Sequence, residues 1–140
     1  MNLTRRALLS VVALAMASCR GGDQRCSLCG MPIDPSSTWR ADLVSADGAT
    51  VHFDSPRCAL KAWRTGRVSA AKMRVMDYYD ARWRDATEVL FVPGSDVLGP
   101  MGPDLVPVDP ARAQKFSEDH SAGRPLPVAA ITAELVSELR

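Results

Sequence analysis

The chain lacks an excess of either charge. Lys and Arg number 17 and Asp and Glu 16, a formal net charge of +1. Nucleic-acid binding needs a basic face or stripe, so the composition speaks against that class of partner. The chain also lacks an apolar run long enough to span a bilayer. Residues 7–17 are apolar apart from Ser10, but that run is short for a membrane span, and no second run follows. Catalytic constellations are absent too: no Ser/His/Asp set, no phosphate-cradling glycine loop and no paired carboxylates are visible. With only two histidines, His52 and His120, and four cysteines, the chain reads as a binding protein and not an enzyme.

What is there begins with a leader. Arg5 and Arg6 form a charged start, residues 7–17 an apolar middle, and the small residues Ala17 and Ser18 precede Cys19. Small residues directly before a cysteine resemble a bacterial lipobox. The expectation is a signal peptide over 1–18, cleavage before Cys19 and lipid on the Cys19 sulfur. Arg20 stands where an aspartate would favour inner-membrane retention, so the expected location is the outer membrane, facing the periplasm. Residues 19–25 then read as a polar, lipidated tether.

The stretch Cys26-Ser-Leu-Cys29-Gly30-Met31-Pro32 carries the chemistry. Two thiols stand at C-x-x-C spacing, and Gly30 permits a tight turn. Met31 places a thioether two residues from Cys29. A second methionine, Met101, lies in Gly99-Pro100-Met101-Gly102-Pro103, where neither a packed helix nor a packed strand is expected. Thiolates and thioethers are soft ligands that select Cu(I) over hard cations. The candidate set is Cys26, Cys29, Met31 and Met101, with Cu(I) as the bound ion. Met73 and Met76 read as core residues beside a strand.

With Cys19 lipidated, Cys26, Cys29 and Cys58 remain, an odd number that cannot pair fully within one chain. The alternatives are a Cys26–Cys29 or Cys29–Cys58 disulfide, or a structural Cys₃His zinc site that adds His52 and Cys58. Cys58 lies near a helix start, which lowers a thiol pKa, but a small buried hydrophobe is the preferred reading. His52 on the polar face of a strand reads as solvated, and His120 as a residue at a helix end.

Secondary structure follows from pattern. Trp39, Ala41 and Leu43 alternate with Arg40 and Asp42, a half-buried strand. Asp47-Gly48 signals a hairpin, and the return strand turns Val51 and Phe53 inward. Asp54-Ser55-Pro56 starts a helix ended by Gly66. Arg74–Tyr79 is compatible with a strand. The order repeats with a strand over Thr87–Val92, a long Gly/Pro loop from Pro93 to Pro103, a strand over Leu105–Val108, and a helix from Asp109-Pro110 to Gly123. Leu126–Val128 closes the second unit, and a short helix over Ala133–Leu139, capped by Thr132 and stapled by Ile131 and Val136, ends the chain. The expected fold is α+β: two small consecutive ββαβ units with mixed or antiparallel sheets, about 26–80 and 81–140, within one metal-binding domain over 26–140. Each unit is too small to bury much core alone, so the two are expected to pack together.

These residues resemble the NosL family, copper-binding accessory lipoproteins of nitrous oxide reductase maturation. The likeness rests on Cys19, on Cys26-x-x-Cys29-Gly30-Met31, on the Asp85-Ala86 step, on Gly94-Ser95-Asp96 leading to Pro100-Met101-Gly102 and Leu105-Val106, and on the His120 turn before Gly123. The resemblance implies paired ββαβ units, a fold likened to organomercurial lyases, and one Cu(I) held by cysteine and methionine sulfur at Cys26, Cys29, Met31 and Met101. It also implies delivery of copper to the apo-reductase with a membrane ABC-type complex and its periplasmic partner. His120-Ser-Ala-Gly123 departs from the family pattern, which often has a glycine next to the histidine.

Overall fold

The hairpin at Asp47-Gly48 organises the first sheet. In the computed structural model, which describes residues 23–139, Gly48 takes a φ of 90°, a value suited to glycine. It joins β1 (Ala41–Val44) to β2 (Thr50–Phe53) in antiparallel register, Ala41 opposite Phe53. Ala41, Leu43 and Phe53 are fully buried, and Val51 packs at their edge. After β2 comes α1 (Pro56–Arg64), capped by Ser55, whose hydroxyl accepts the Cys58 N–H. β3 (Lys72–Met76) returns on the other side of β1, with Met73 and Met76 buried.

The sheet does not end there. β4 (Trp83–Asp85) pairs with β3, giving the order β2-β1-β3-β4. The sequence pattern predicts no strand here, because Trp-Arg-Asp has neither alternation nor length. A turn over residues 77–82 folds it back: Asp77 Oδ1 accepts the N–H groups of Tyr79 and Asp80. Residues 81–85 thus belong with the first sheet, although the repeat in the pattern puts them in the second unit.

The second unit is lighter. β5 (Leu90–Val92) pairs antiparallel with β8 (Val106–Val108), and α2 (Pro110–Asp119) packs on both. The closing strand over Leu126–Val128 is reduced to one bridge, Leu126 to Phe91, after which Val128–Ala130 form a 3₁₀ turn. α2 stops at Asp119, earlier than expected, with His120 as its cap and Ser121 at φ 49°. Gly123 serves a close contact instead of a helix stop. Its N–H donates to the Pro93 carbonyl at 2.8 Å, and a Cβ there would stand a tight 3.1 Å from that oxygen. α3 (Ala133–Glu138) is capped by Thr132, with Ile131 and Val136 both buried, as the staple pattern requires.

The two units share one core. Phe91, Leu105, Ile131 and Val136 pack with Ala41, Leu43, Phe53, Leu60 and Val75. Trp39 lies ahead of β1 and turns to the smaller cluster of Val92, Val106, Val108, Ala113 and Phe116, so it bridges the units instead of sharing a face with Ala41. Buried Asp77 adds a polar tie, its Oδ2 accepting the Asp109 N–H at the start of α2. The result is α+β with antiparallel sheets and a short C-terminal helix, as expected.

The Gly/Pro loop is not structureless. β6 (Leu98–Gly99) and β7 (Gly102–Pro103) form a small hairpin with Pro100-Met101 at its tip. Buried Asp104 holds its base, accepting the Arg57 N–H at 2.8 Å, while the Arg57 guanidinium donates to the Pro103 carbonyl at 3.1 Å. A Cβ on Gly99 would stand 2.9 Å from Asp104 Oδ2. Gly99→Ala is therefore expected to destabilise the protein by about 1–3 kcal/mol through overpacking, read as a lowered urea midpoint with unchanged slope.

Candidate metal site

The C-x-x-C stretch folds into a turn closed by its own backbone. The Cys26 N–H donates to the Met31 carbonyl at 2.8 Å, and the Gly30 N–H to the Cys26 carbonyl at 2.9 Å. Gly30 sits at φ 76°, so the glycine is there for backbone reasons. Arg25 bridges to Pro32, and the Ser27 N–H donates to the His52 carbonyl, hooking the turn onto the end of β2. This hook brings the thiols to the first turn of α1, where the chain has just placed Asp54, Ser55 and Cys58.

Four donors meet there. The Sγ atoms of Cys26, Cys29 and Cys58 and a carboxylate oxygen of Asp54 all lie within 4.8 Å of one another. All three cysteines are free thiols, which sets aside the Cys26–Cys29 and Cys29–Cys58 disulfides in this structure. Cys26, Cys58 and Asp54 are buried and Cys29 half-buried. The Cys29 thiol donates to Asp54 Oδ2 at 3.4 Å, whereas buried Asp54 Oδ1 has no hydrogen-bond partner among the described residues. A buried carboxylate oxygen without a partner is rare and points to a missing proton or cation.

The thiols are electrostatically unequal. A hydrogen bond from Cys58 lowers Cys26 to about 6; burial opposes this, and backbone N–H groups of Cys29, Asp54 and Leu28 assist it. Cys58, the donor in that pair, is raised, with burial and the negative charge of Cys26 adding to the effect. Burial raises Cys29. The thiolate is thereby favoured at Cys26 over Cys29 and Cys58, which suits a buried cluster that cannot hold three like charges.

The methionines stand outside this inner group. Met101, 49% exposed at the hairpin tip, lines a pocket of about 340 Å³ together with Cys29 and Cys58. Met31 is 38% exposed and does not line that pocket; its carbonyl is engaged with Cys26. Sequence reasoning missed Asp54, which reads only as part of a helix start, and took Cys58 for a buried hydrophobe. The signal available was the spacing Asp54-Ser-Pro-Arg-Cys58, which puts a carboxylate and a thiol one helical turn apart.

The histidines are elsewhere. His52 Nδ1 pairs with Asp42 across the β1–β2 ladder at 2.8 Å. A Cys₃His site with His52 is thereby corrected, since the fourth donor beside the cysteines is Asp54. β2 turns His52 to the sheet face that carries Asp42, whereas Asp54, just past the end of the strand, turns in toward the sulfurs. His120 pairs with Asp96 at 2.7 Å and packs on Phe116 in the second unit.

One ionised thiol has a measurable consequence. Cys26 titrates near 6 in the folded protein against 9.0 for a free thiol. Its stabilising contribution is full above about 9 and is lost as pH falls through about 6. Metal-free protein should gain unfolding free energy between those values, together with one thiolate absorbance step near 6. Cys58→Ala, which removes the thiol hydrogen bond, should move that step upward.

The NosL family model matches residues 20–136. Comparison with curated proteins finds no match. Among solved structures, the crystal structure of the copper chaperone NosL from Shewanella denitrificans is similar, with a TM-score of 0.67 and 22% identity over 79% of this chain and 90% of that one. At that identity the likeness speaks to the fold alone, whereas the family match spans most of the chain and takes in Cys26, Cys29, Asp54, Cys58 and Met101. The chain belongs to the NosL family.

Proposed function

We propose that this protein is a lipid-anchored Cu(I) carrier that hands its ion to a periplasmic copper enzyme. The observation that carries this reading is the meeting of three cysteine sulfurs, two of which, Cys29 and Cys58, line a pocket together with Met101 at a hairpin tip. Soft sulfur donors favour Cu(I), and family membership and the similar solved copper chaperone support copper as the metal. Asp54 is a hard donor and suits Cu(I) poorly. Its place at the Cys29 thiol fits proton transfer, with Asp54 accepting the proton that Cys29 gives up when copper takes the sulfur.

Cys26, already ionised at neutral pH, is the first ligand. Cys29 and Cys58 follow at the cost of a proton each. Met101 needs no deprotonation and sits exposed at the end of a two-stranded hairpin, so it can leave first while an acceptor's ligand enters. The lipid on Cys19, outside the described residues, holds the carrier at the membrane surface and raises its effective concentration near membrane partners. In this reading the anchor is in the outer membrane, the client is the apo form of nitrous oxide reductase, and the ABC-type maturation complex assists the transfer. Met31 belongs to the proposal as a ligand only if its exposed side chain closes over the sulfurs on loading.

A second reading draws on the carboxylate. Three thiols and one carboxylate make the four-coordinate set of a structural zinc site. The two readings part in an anaerobic titration of the protein from Arg20 onward with Cu(I), against a chromophoric chelator, with Zn(II) in parallel. The copper carrier takes up one Cu(I) and stays folded without it. Cys26→Ser or Cys29→Ser weakens binding by about two orders of magnitude, Asp54→Asn by about tenfold, and Met101→Ala slows transfer more than it weakens binding. Preference for Zn(II), with unfolding on chelation, would decide for the structural module.

A further inference from the structure

The site has two approaches of opposite character. On one side of the hairpin tip, Pro100 lines a pocket of about 400 Å³ that also holds Asp34 and Asp54 and no Lys or Arg. On the other side, Met101 lines the sulfur pocket, whose remaining walls include Arg57, Lys61 and Arg67. Lys61 and Arg67 are exposed and Arg57 is half-buried. The salt bridges among the described residues are His52–Asp42, Arg84–Asp80, Lys115–Asp119 and His120–Asp96, so none of the three cations is paired among them. Two buried carboxylates lie beneath the rim: Asp104 is taken up with backbone N–H groups of Arg57 and Leu105, and Asp54 accepts the Cys29 thiol; the Arg57 guanidinium also donates to the Pro103 carbonyl.

Three unpaired cations around a concave mouth with metal-binding sulfur at its floor call for an anionic visitor. We propose that Arg57, Lys61 and Arg67 form a docking rim for the copper acceptor, and that the acceptor presents carboxylates around its own metal ligands. This rests on the copper-carrier reading and adds the face of transfer and the chemistry of the partner. The acidic side of the tip would repel the same partner, so the charge pattern sets the orientation as well as the encounter rate. The rim surrounds a pocket that opens onto Cys29 and Cys58, and a flat membrane surface could not reach that floor. A protein surface with a projecting ligand loop could.

The test uses small probes of known charge on the full chain carrying Cys19→Ser. In the metal-free arm, thiols react with dithiobis(nitrobenzoate), a dianionic disulfide, or with dithiodipyridine, a neutral one. A protein thiolate attacks the reagent's S–S bond, a mixed disulfide forms, and the aryl thiolate leaves with the electron pair. K61E/R67E is expected to slow the dianionic reagent by about tenfold at low salt, to leave the neutral reagent unchanged, and to lose its effect as salt is added. In the loaded arm, the same variant slows Cu(I) transfer to bathocuproine disulfonate but not to neutral neocuproine. K115E, a single charge reversal on α2, does neither.

Equal slowing with neutral probes, or an equal effect of K115E, overturns the rim. So does competition by phosphatidylglycerol vesicles where soluble dianions fail, which would make the patch a membrane contact. A chain that takes up no Cu(I) sinks the carrier reading, while the disulfide arm still judges the rim by itself.

Discussion

The site depends on how the first turn of α1 is held. Asp104 is the buried carboxylate at that junction. It accepts the Arg57 N–H from the helix and the N–H of Leu105, the residue that follows it. Burial pushes its carboxyl up to about 6, against hydrogen bonds from Leu105, Ser55 and Arg57 that pull it down. One group thereby ties the helix that carries Cys58 to the hairpin that carries Met101. Ser55 completes the turn by capping Cys58. The Arg57 guanidinium adds a second tie by donating to the Pro103 carbonyl of the hairpin, and together these bonds bring thiol and thioether to one pocket.

A second constraint is charge. The cluster holds three thiols and a carboxylate in a buried space, which cannot carry four negative charges. Interactions within the group ease this: the Cys29 thiol donates to Asp54, and the neighbouring Cys58 thiol lowers the pKa of Cys26. Such an arrangement holds the four side chains together without placing like charges side by side. The scaffold around it needs no metal to explain its packing, since Leu43, Phe53, Leu60 and Phe91 form an apolar core across both units.

Much of the fold was legible because its signals are local. Asp47-Gly48 specifies a hairpin, and Ser55-Pro56, Asp109-Pro110 and Thr132 specify helix starts, through contacts within a few residues. The alternation of β1 and β2 is likewise local. β4 and the β6–β7 hairpin were not legible, and the strand read over Leu126–Val128 is a single bridge at Leu126. Each is three residues or shorter, and two of them owe their geometry to a partner elsewhere along the chain: β3 for Trp83–Asp85, and Phe91 for Leu126. Gly123 misled for the same reason, since a close approach to Pro93 and a helix stop call for the same residue.

The sequence by itself determined the soft chemistry of the site: the C-x-x-C-G turn, its tight backbone at Gly30 and a methionine in a Gly/Pro loop. Residue type and short-range geometry are enough for that. Only the tertiary structure decided which groups meet. Asp54 and Cys58 join Cys26 and Cys29 because the Ser27 N–H hooks the turn to the end of β2, where α1 begins. Met101 reaches their pocket because Asp104 pins its hairpin to α1, while Met31, closer to Cys29 in the chain, points its carbonyl and not its sulfur into the turn's hydrogen bonding. Proximity in sequence constrains a backbone, but convergence of side chains is set by the packing of elements that are distant along it.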